Sequence, residues 1–466
     1  MSVPPPRKHV GVCVFPFASH TSPMLAIVRQ IAASAPDVLF SFFGTKTSNG
    51  QVFSKEAAEG GGNVRSCVVD DGLPEVYVPS GYPMETVELF LKAVPGNFYK
   101  AIEAAERAVG VKISCLITDA FLWFGAEMVR DKGVRWIPVW FSGPQPLLAH
   151  VYTDLIRETL GSEGLQDSKT LDFIPGLESI RDKDLPSEVI RLDPTSQFSV
   201  MIEKMPQSLL TAATVVVNSL DELNPFITAQ LQKHLKKILN VGPISMLSTP
   251  PKTEKEAPLL PAADPHGCIQ WLNEQPPASV VYISFGSVIT LLPREVTALA
   301  EALDETAVPF LWSFRGDPNE QLPPEFVTRS TTAEGCSNSK SKIVPWAPQL
   351  DVLRHSSVGV FLTHCGWNSL LESFTGGVPT ILRPFYGDQN MNCRCMEVVM
   401  RMGIGLEGGK ITKAGTMAAL RRVLFEKEGK EMRGRIVPLK EMIARAMAAS
   451  GSSRKNLESL MEMVTK

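Results

Sequence analysis

Residues 363–372 (THCGWNSLLE) place a histidine, a glycine and small polar side chains where a strand would give way to a helix. The apolar run 358–362 predicts the strand, and the residues after it predict the helix. A helix N-terminus presents unpaired N–H donors and the positive end of a dipole, so it favours a phosphate. Gly366 would let the backbone approach closely, and Asn368 and Ser369 would supply a cap and a hydroxyl donor.

Two further side chains would complete this site. His364, at the strand end, could donate from the other side. Glu372 lies about one turn into the helix, where its carboxylate could accept hydrogen bonds from sugar hydroxyls. Each residue also has an ordinary structural role, such as Ser369 as a helix cap. At this spacing the set predicts an anion-binding site.

A candidate general base lies near the start of the chain. His20 follows the first predicted strand and Asp119 closes another, so a parallel sheet would place both at the same edge. A carboxylate on one imidazole nitrogen fixes the tautomer, while the other nitrogen takes a proton. A strand-end histidine can equally satisfy a local hydrogen bond, and these residues alone leave both roles open.

Other motifs are missing or out of context. Residues 403–408 match G-x-G-x-x-G, but they follow a predicted helix and predict an ordinary turn. The first strand ends without a glycine fingerprint, which disfavours an NAD(P) oxidoreductase, and the sequence contains no Walker A, HExxH or GxSxG motif.

Asp182 and Asp184 form a D-x-D that could hold a metal, yet their polar, proline-containing surroundings favour a surface loop.

The elements that must position these residues alternate between buried strands and helices. Apolar runs predict strands at 9–17, 38–45, 113–120, 135–141, 213–220, 279–287, 309–315, 342–348, 358–364 and 378–384. Thr21 or Ser22 is a plausible N-cap for the first helix, and residues 416–466 are helical in pattern. Continuous apolar strands between helices predict parallel sheets covered on both faces, which bind ligands at the carboxyl ends of their strands.

One segment breaks this alternation. Residues 245–267 are rich in Pro, Lys and Glu and have no periodicity, so they predict an interdomain linker. The chain is therefore predicted to form two doubly wound α/β domains, at 1–244 and 268–445, with a cleft between them. A helix is expected at 446–466.

Composition narrows the class of protein. The chain has 466 residues and a net charge of 46 minus 49, or −3, which argues against a nucleic-acid-binding surface. The sequence has no run of 18 apolar residues and no signal-peptide pattern, so no membrane segment is expected. Eight cysteines without a CxxC pair indicate reduced thiols, and we expect a cytoplasmic protein.

Residues 346–389 (WAPQLDVLRHSSVGVFLTHCGWNSLLESFTGGVPTILRPFYGDQ) resemble, over all 44 positions, the signature box of plant family-1 UDP-dependent glycosyltransferases. WAPQ, HCGWNS, GVP and DQ all stand at family spacing. Elsewhere HVGVCVFPFASH, FSFFGT, CLITDAF, DFIPGL, VVYISFGS and GSSRKNLESL are similar to the flavonoid 3-O-glucosyltransferase branch. The resemblance implies a GT-B fold of two Rossmann-like domains facing a cleft. The first would bind the acceptor and carry the C-terminal helix, and the second would bind the UDP-sugar.

The resemblance assigns the donor site by position. The residues at the uracil and ribose would be Trp346, Ala347, Gln349 and Glu372. The residues around the diphosphate would be Ser287, His364, Asn368 and Ser369. The residues at the sugar hydroxyls would be Trp367, Asp388 and Gln389. Gln389 resembles glucose-transferring members, so UDP-glucose is the expected donor.

The resemblance also matches His20 and Asp119 to the family's catalytic dyad. It implies that His20 deprotonates a phenolic or enolic hydroxyl, whose oxygen displaces UDP and inverts the anomeric carbon. His364 and the helix N-terminus would face the charge that develops on the leaving diphosphate. No metal or cofactor is then needed, because the UDP-sugar is a co-substrate. The expected enzyme is a monomer that glucosylates the 3-hydroxyl of a flavonol or anthocyanidin.

The acceptor site is expected to be apolar. An aromatic acceptor needs an apolar slot, and the residues assigned to it are Phe15, His20, Met84, Phe121, Phe141, His150 and Tyr386. Phe15 and Phe121 can equally be core residues. Phe141 stands where the branch commonly has Thr, which removes a sugar contact or shifts it to Ser142. Met84 stands where relatives can have Gln, so the acceptor range could differ.

Several alternatives stay open. They are a C-glycosyltransferase, a broad-range O-glycosyltransferase acting on other plant phenolics, and the use of UDP-galactose or UDP-rhamnose. A non-catalytic sugar-nucleotide-binding protein is a further alternative, and the presence of both His20 and Asp119 argues against it.

Overall fold

The computed structural model describes residues 6–17, 20–53, 62–78, 82, 84–130, 133–161, 168–247, 264–331 and 341–466. Contacts divide the chain into two compact units. The first comprises Met1–Leu177, Ser187–Pro250 and Ala446–Lys466, and the second Glu178–Pro186 and Pro251–Arg445. Glu178–Pro186 thus groups with the second unit, whereas the sequence-based boundaries put it in the first domain. Most of the predicted linker, residues 248–263, lies outside the described residues.

The first unit is built on a parallel sheet. Its seven described strands are β1 Lys8–Cys13, β2 Val38–Gly44, β3 Val64–Val68, β4 Ile113–Asp119, β5 Arg135–Trp140, β6 Val215–Val217 and β7 Ile238–Asn240. They lie in the order β3-β2-β1-β4-β5-β6-β7. The sequence analysis missed β3 and β7. β7 is only three residues long, and the side chains of β3 are partly exposed rather than continuously apolar.

The second unit contains a parallel sheet of similar design. Its six described strands are β8 Val280–Ser284, β9 Phe310–Ser313, β10 Ser341–Val344, β11 Val358–Thr363, β12 Thr380–Leu382 and β13 Gly403–Gly405. Their order is β10-β9-β8-β11-β12-β13. β13 lies in the predicted G-x-G-x-x-G turn, so that prediction was wrong for its first three residues. The turn itself is the 3₁₀ segment Glu407–Gly409.

Helices fill the connections between the strands. Those described are α1 Thr21–Ala33, α2 Lys46–Val52, α3 Glu85–Ala93, α4 Gly96–Val109, α5 Gly125–Val129, α6 Pro144–Val151, α7 Thr153–Leu160, α8 Ser187–Ile190, α9 Gln197–Leu209, α10 Pro225–Leu231, α11 Cys268–Asn273, α12 Pro293–Thr306, α13 Pro318–Gln321, α14 Pro324–Thr331, α15 Gln349–Arg354, α16 Trp367–Gly376, α17 Gln389–Arg394, α18 Lys413–Leu424, α19 Lys427–Met447 and α20 Ser452–Thr465. Within the described ranges, none of them is both long and apolar enough to cross a membrane.

Both sheets bury apolar side chains in the way that parallel sheets require. In β8, Val281 and Ile283 belong to one core cluster while Val280 and Tyr282 belong to another. Because alternate side chains of a strand point to opposite faces, both faces of the second sheet are covered. In the first unit, α20 contributes Leu457, Leu460 and Val464 to the core that also holds β1 and α1.

The strand order of each sheet reverses beside its first strand. In the first sheet β1 lies between β2 and β4, and in the second β8 lies between β9 and β11. The paired strands end together, with Cys13 opposite Thr118 and Ser284 opposite Thr363. The connections leave such a point on opposite sides of the sheet, which opens a crevice where α/β proteins bind ligands.

The two aspartates of the D-x-D segment are buried, so the prediction of a surface loop was wrong. Residues Asp182–Asp184 form a 3₁₀ turn, and both carboxylates are buried. Asp184 is held by Arg181 through two bonds of 2.8 Å and lies 3.8 Å from Arg394. The arginines compensate its burial, which explains why a polar segment is found inside. Among the described residues, no three His, Cys, Asp or Glu side chains group to hold a metal.

Candidate functional site

The reversal point of the first sheet holds a histidine–carboxylate pair. Asp119 ends β4, and its Oδ2 lies 2.7 Å from Nδ1 of His20. Its other oxygen accepts the backbone N–H of Phe121 at 3.0 Å. The side chain of Asp119 is 2% exposed and that of His20 is 18% exposed. With its Nδ1 proton donated to the carboxylate, the imidazole presents Nε2 as the nitrogen that can accept a proton.

Helix α1 fixes the backbone beside this pair. The helix begins at Thr21, so the predicted caps Thr21 and Ser22 were wrong and His20 itself occupies the N-cap. The carbonyl of His20 accepts the N–H of Met24 at 3.2 Å. The backbone of His20 is therefore used by the helix, while its ring bonds Asp119.

Three phenylalanine rings surround the imidazole of His20. Their ring centroids lie 5.5 Å away for Phe15, 5.3 Å for Phe121 and 5.5 Å for Phe141. Phe15 and Phe141 are buried, and Phe121 is partly buried. Contacts of this kind contribute about 0.5–1.5 kcal/mol each beyond area burial, so they restrict how the imidazole can turn.

The remaining predicted acceptor residues are more dispersed. His150 is buried, and burial lowers its pKa to about 4, so its ring is neutral. Met84 precedes α3 and is partly buried, whereas Tyr386 is exposed and belongs to the second unit. Trp140 was not proposed from the sequence. Its ring lies 5.9 Å from that of Phe121 and 5.5 Å from that of His150. Its position at the carboxyl end of the predicted strand β5 could have identified it from the sequence.

The reversal point of the second sheet holds the predicted strand–helix junction. β11 ends at Thr363 and α16 begins at Trp367. The N-cap is Gly366, so the prediction of a cap from Asn368 or Ser369 was wrong. Because Gly366 has no side chain, the first turn of α16 can present its N–H donors to a ligand.

His364 is packed between two glycines at this junction. A Cβ atom at Gly286 would lie 2.8 Å from the imidazole, and one at Gly366 would lie 2.3 Å from Nε2. Gly286 also has a φ of +75°, which disfavours other residues. Burial lowers the pKa of His364 to about 4, so the ring is neutral. Its buried Nδ1 has no hydrogen-bond partner among the described residues.

Three predicted donor-site residues form one hydrogen-bond network. Nε2 of Gln349 donates to Oγ of Ser369 at 3.1 Å and to Oε2 of Glu372 at 2.7 Å. Its Oε1 accepts the hydroxyl of Tyr282 at 3.2 Å. Burial raises the pKa of Glu372 to about 7, although the bond from Gln349 acts in the opposite direction. A partly buried carboxyl group that titrates near neutrality is typical of a functional site.

Four other predicted donor residues differ in exposure. The side chain of Trp346 is 48% exposed, so it can offer a ring face, and Ser287 is exposed after β8. Ala347 and Trp367 are both buried.

The segment after β12 carries the last two predicted residues. Oε1 of Gln389 accepts the backbone N–H groups of Phe385 at 2.9 Å and Tyr386 at 3.3 Å. Two donors identify this atom as the oxygen, so the amide nitrogen is the end that can face a ligand. Oδ2 of Asp388 accepts Nδ2 of Asn392 at 2.8 Å. Both side chains are therefore held in place by their own segment.

A small recess is lined in part by Gly286. Its lining includes Thr290, Ser313 and Arg315, which the sequence analysis did not single out. No local pattern in the sequence singles them out, because they come together only through the pairing of β8 with β9.

Comparison with known proteins gives a consistent result over the whole chain. Residues 63–439 match the family model described as UDP-glucoronosyl and UDP-glucosyl transferase. The chain is 46% identical over 457 residues to flavonoid 3-O-glucosyltransferase of Medicago truncatula, covering 98% of this chain and 97% of that one. It is 43% identical to anthocyanidin 3-O-glucosyltransferase UFGT of Vitis vinifera, covering 100% and 99%. The crystal structure of a UDP-glucose:anthocyanidin 3-O-glucosyltransferase in complex with UDP superposes with a TM-score of 0.89 at 34% identity, covering 98% and 99%.

Proposed function

The chain belongs to the family of UDP-glucuronosyl and UDP-glucosyl transferases, and we propose that it transfers glucose from UDP-glucose to the 3-hydroxyl of a flavonol or anthocyanidin. The named activities of its relatives in Medicago truncatula and Vitis vinifera support this substrate pair. The observation that carries the proposal is the 2.7 Å contact between His20 and Asp119 among aromatic rings.

His20 acts as the general base in the proposed reaction. Nε2 removes the proton from the acceptor hydroxyl, and Asp119 stabilises the imidazolium that forms. The acceptor oxygen bonds to the anomeric carbon as the bond between that carbon and the diphosphate oxygen breaks, so the configuration inverts. UDP leaves with the electron pair of the broken bond, and the proton remains on His20.

The strand–helix junction stabilises the leaving UDP. Its diphosphate gains negative charge as the bond breaks, and the first turn of α16 directs N–H donors and a helix dipole at an anion. His364 is neutral, so it contributes a hydrogen bond rather than a charge. Ser369 accepts from Gln349, which leaves its hydroxyl proton to donate. Asn368 and Ser287 complete this part of the proposed site.

The other donor residues select the nucleotide and the sugar. Trp346 stacks on uracil beside Ala347, and Glu372 accepts from the ribose hydroxyls. Asp388 and Gln389 bind the sugar hydroxyls, with the amide nitrogen of Gln389 as a donor. We further propose that the protein is cytoplasmic, because the described cysteines are free thiols, which suits a reducing compartment. We also propose that it acts as a monomer.

Product analysis tests the proposed reaction. The protein, incubated with UDP-glucose and a panel of flavonols, anthocyanidins and simple phenols, should form an acid-labile 3-O-glucoside detectable by mass spectrometry and acid hydrolysis. UDP-galactose and UDP-rhamnose should react more slowly. An acid-stable product would instead indicate C-transfer. Binding of UDP without transfer to any acceptor would indicate a non-catalytic sugar-nucleotide-binding protein.

Gly366→Ala tests the diphosphate site. The new Cβ would lie 2.3 Å from Nε2 of His364, so the ring or the first turn of α16 must shift. We expect about 10- to 100-fold weaker UDP binding by calorimetry, because hydrogen bonds to charged groups contribute about 1.5–3 kcal/mol. Gly434→Ala is the control, since a Cβ there meets no atom within 4 Å among the described residues. Equal UDP affinity in both variants would contradict the assignment.

A further inference from the structure

Glu295 and Arg383 form a buried ion pair in the second unit. Nε and Nη2 of Arg383 each lie 3.0 Å from an oxygen of Glu295. The side chain of Glu295 is 3% exposed and that of Arg383 is 11% exposed, and the residues are 88 positions apart in the sequence. A two-bond contact between an arginine and a carboxylate fixes the orientation of both planar groups. The pair therefore links α12, which carries Glu295, rigidly to the end of β12.

The pair is connected to the surrounding chain by three further contacts. Oε1 of Glu295 accepts the backbone N–H of Ile411 at 2.9 Å. The backbone N–H of Arg383 donates to the carbonyl of Thr363, the last residue of β11, at 2.9 Å. The guanidinium lies over the ring of Phe385, 3.8 Å from its centroid. Burial alone would raise the pKa of Glu295, but the bonds from Arg383 and Ile411 hold that pKa below its usual range.

Phe385 connects this pair to the segment that ends in Asp388 and Gln389. Its backbone N–H donates to Oε1 of Gln389 at 2.9 Å. Its ring also packs edge-on against Phe285, with centroids 6.0 Å apart. Phe385 is thus held between Arg383 and Phe285, and its backbone in turn orients the amide of Gln389.

We propose that Glu295 and Arg383 are positioning residues for the sugar of the UDP-sugar. They fix Phe385 and, through it, the side chain that meets the sugar hydroxyls. The inference rests on the proposed function, because it takes Asp388 and Gln389 as the sugar contacts. The charge of Arg383 is matched by Glu295 through two bonds of 3.0 Å, so the pair acts through the segment rather than on the diphosphate.

Glu295→Gln separates this role from a purely structural one. The variant keeps the shape of the side chain but removes the charge that holds Arg383. We expect the Kd for UDP-glucose to rise about fivefold while the Kd for UDP stays within about twofold, because a displaced Gln389 amide would lose a hydrogen bond to the sugar and a change of this size is within the contribution of one hydrogen bond. A general loss of folded protein would weaken both ligands equally. The ratio of the two Kd values, measured by calorimetry, is therefore the readout.

Phe385→Leu is the second variant, since it leaves the ion pair intact but removes the ring that Arg383 contacts. It should also raise the ratio of the Kd for UDP-glucose to the Kd for UDP. If Glu295→Gln does not fold, Phe385→Leu tests the inference by itself. Glu428→Gln is the matched control, because Arg422–Glu428 is a two-bond ion pair of 2.8 Å elsewhere in the same unit. An unchanged ratio in Phe385→Leu and in folded Glu295→Gln would overturn the inference.

Gln389→Ala distinguishes failure of the inference from failure of the proposed function. An unchanged ratio in this variant would overturn the assignment of Gln389 to the sugar, and the inference with it. If Gln389→Ala raises the ratio but neither Glu295→Gln nor Phe385→Leu does, the positioning role alone is wrong.

Discussion

His20→Ala should lower kcat for glucosyl transfer by about 10²–10⁴-fold, the usual contribution of a positioned general base. Its Kd for UDP should stay unchanged, because the proposed UDP-binding residues lie in other parts of the chain. Steady-state kinetics with a flavonol acceptor and calorimetry with UDP measure the two effects. His234→Ala removes an exposed histidine of the same unit, so it should leave kcat close to that of the wild type. Undiminished turnover in His20→Ala would exclude this residue as the base.

Asp119→Asn tests whether the pair acts together. The amide nitrogen can turn towards Nδ1 and favour the other tautomer, which takes the acceptor position away from Nε2. We expect a large fall in kcat, and the double variant with His20→Ala should be little worse than His20→Ala alone, since residues that act as a unit are not additive. Fully additive losses would show that the two residues act independently.

Glu372→Ala should weaken UDP binding by about 10- to 100-fold, because a carboxylate that accepts hydrogen bonds contributes about 1.5–3 kcal/mol. Gln349 would also lose the partner that it contacts at 2.7 Å. Calorimetry with UDP measures the change. Glu325→Gln, at an exposed position of the same unit, should bind UDP like the wild type. Unaltered affinity in Glu372→Ala would remove the residue from the ribose site.

The same carboxyl group predicts how binding depends on pH. Burial raises the pKa of Glu372 to about 7, so below that pH the free protein carries it protonated. Binding through the carboxylate then requires loss of a proton, and affinity for UDP-glucose should fall as the pH drops from 7 to 5. UDP-glucose is the suitable ligand, because only a terminal phosphate has a second ionisation near about pH 6. Glu372→Gln should abolish this part of the pH dependence.

The raised pKa also affects stability, in the opposite direction to binding. Between the usual value of 4.5 and the folded value of about 7, the folded protein binds more protons at Glu372 than the unfolded chain. The free energy of unfolding should therefore decrease as the pH rises through this window. The amide introduced by Glu372→Gln does not titrate, so the variant does not show this decrease. Its free energy of unfolding relative to the wild type should therefore increase from pH 4.5 to 7 and then level off. Urea denaturation at several pH values measures the trend.

Much of this architecture could be predicted from local sequence. The strands with continuous apolar runs were identified, and so was the junction at His364, because burial on both faces and a strand-to-helix change leave a pattern in neighbouring residues. The short strands β3, β7 and β13 were missed, because a strand of three to five residues gives little periodicity. The family resemblance added residue assignments that periodicity cannot supply.

The chemical pairings depended on tertiary structure. His20 and Asp119 are 99 residues apart, and they meet because β1 and β4 are neighbours in the first sheet. Glu295 of α12 meets Arg383, which follows β12, although 88 residues separate them, and the buried Asp184 lies 3.8 Å from Arg394 of α17. The sequence by itself determined which segments become strands and which side chains stand at their ends. Strand order decided which of those ends are adjacent, because it results from packing over the whole sheet and leaves no local pattern.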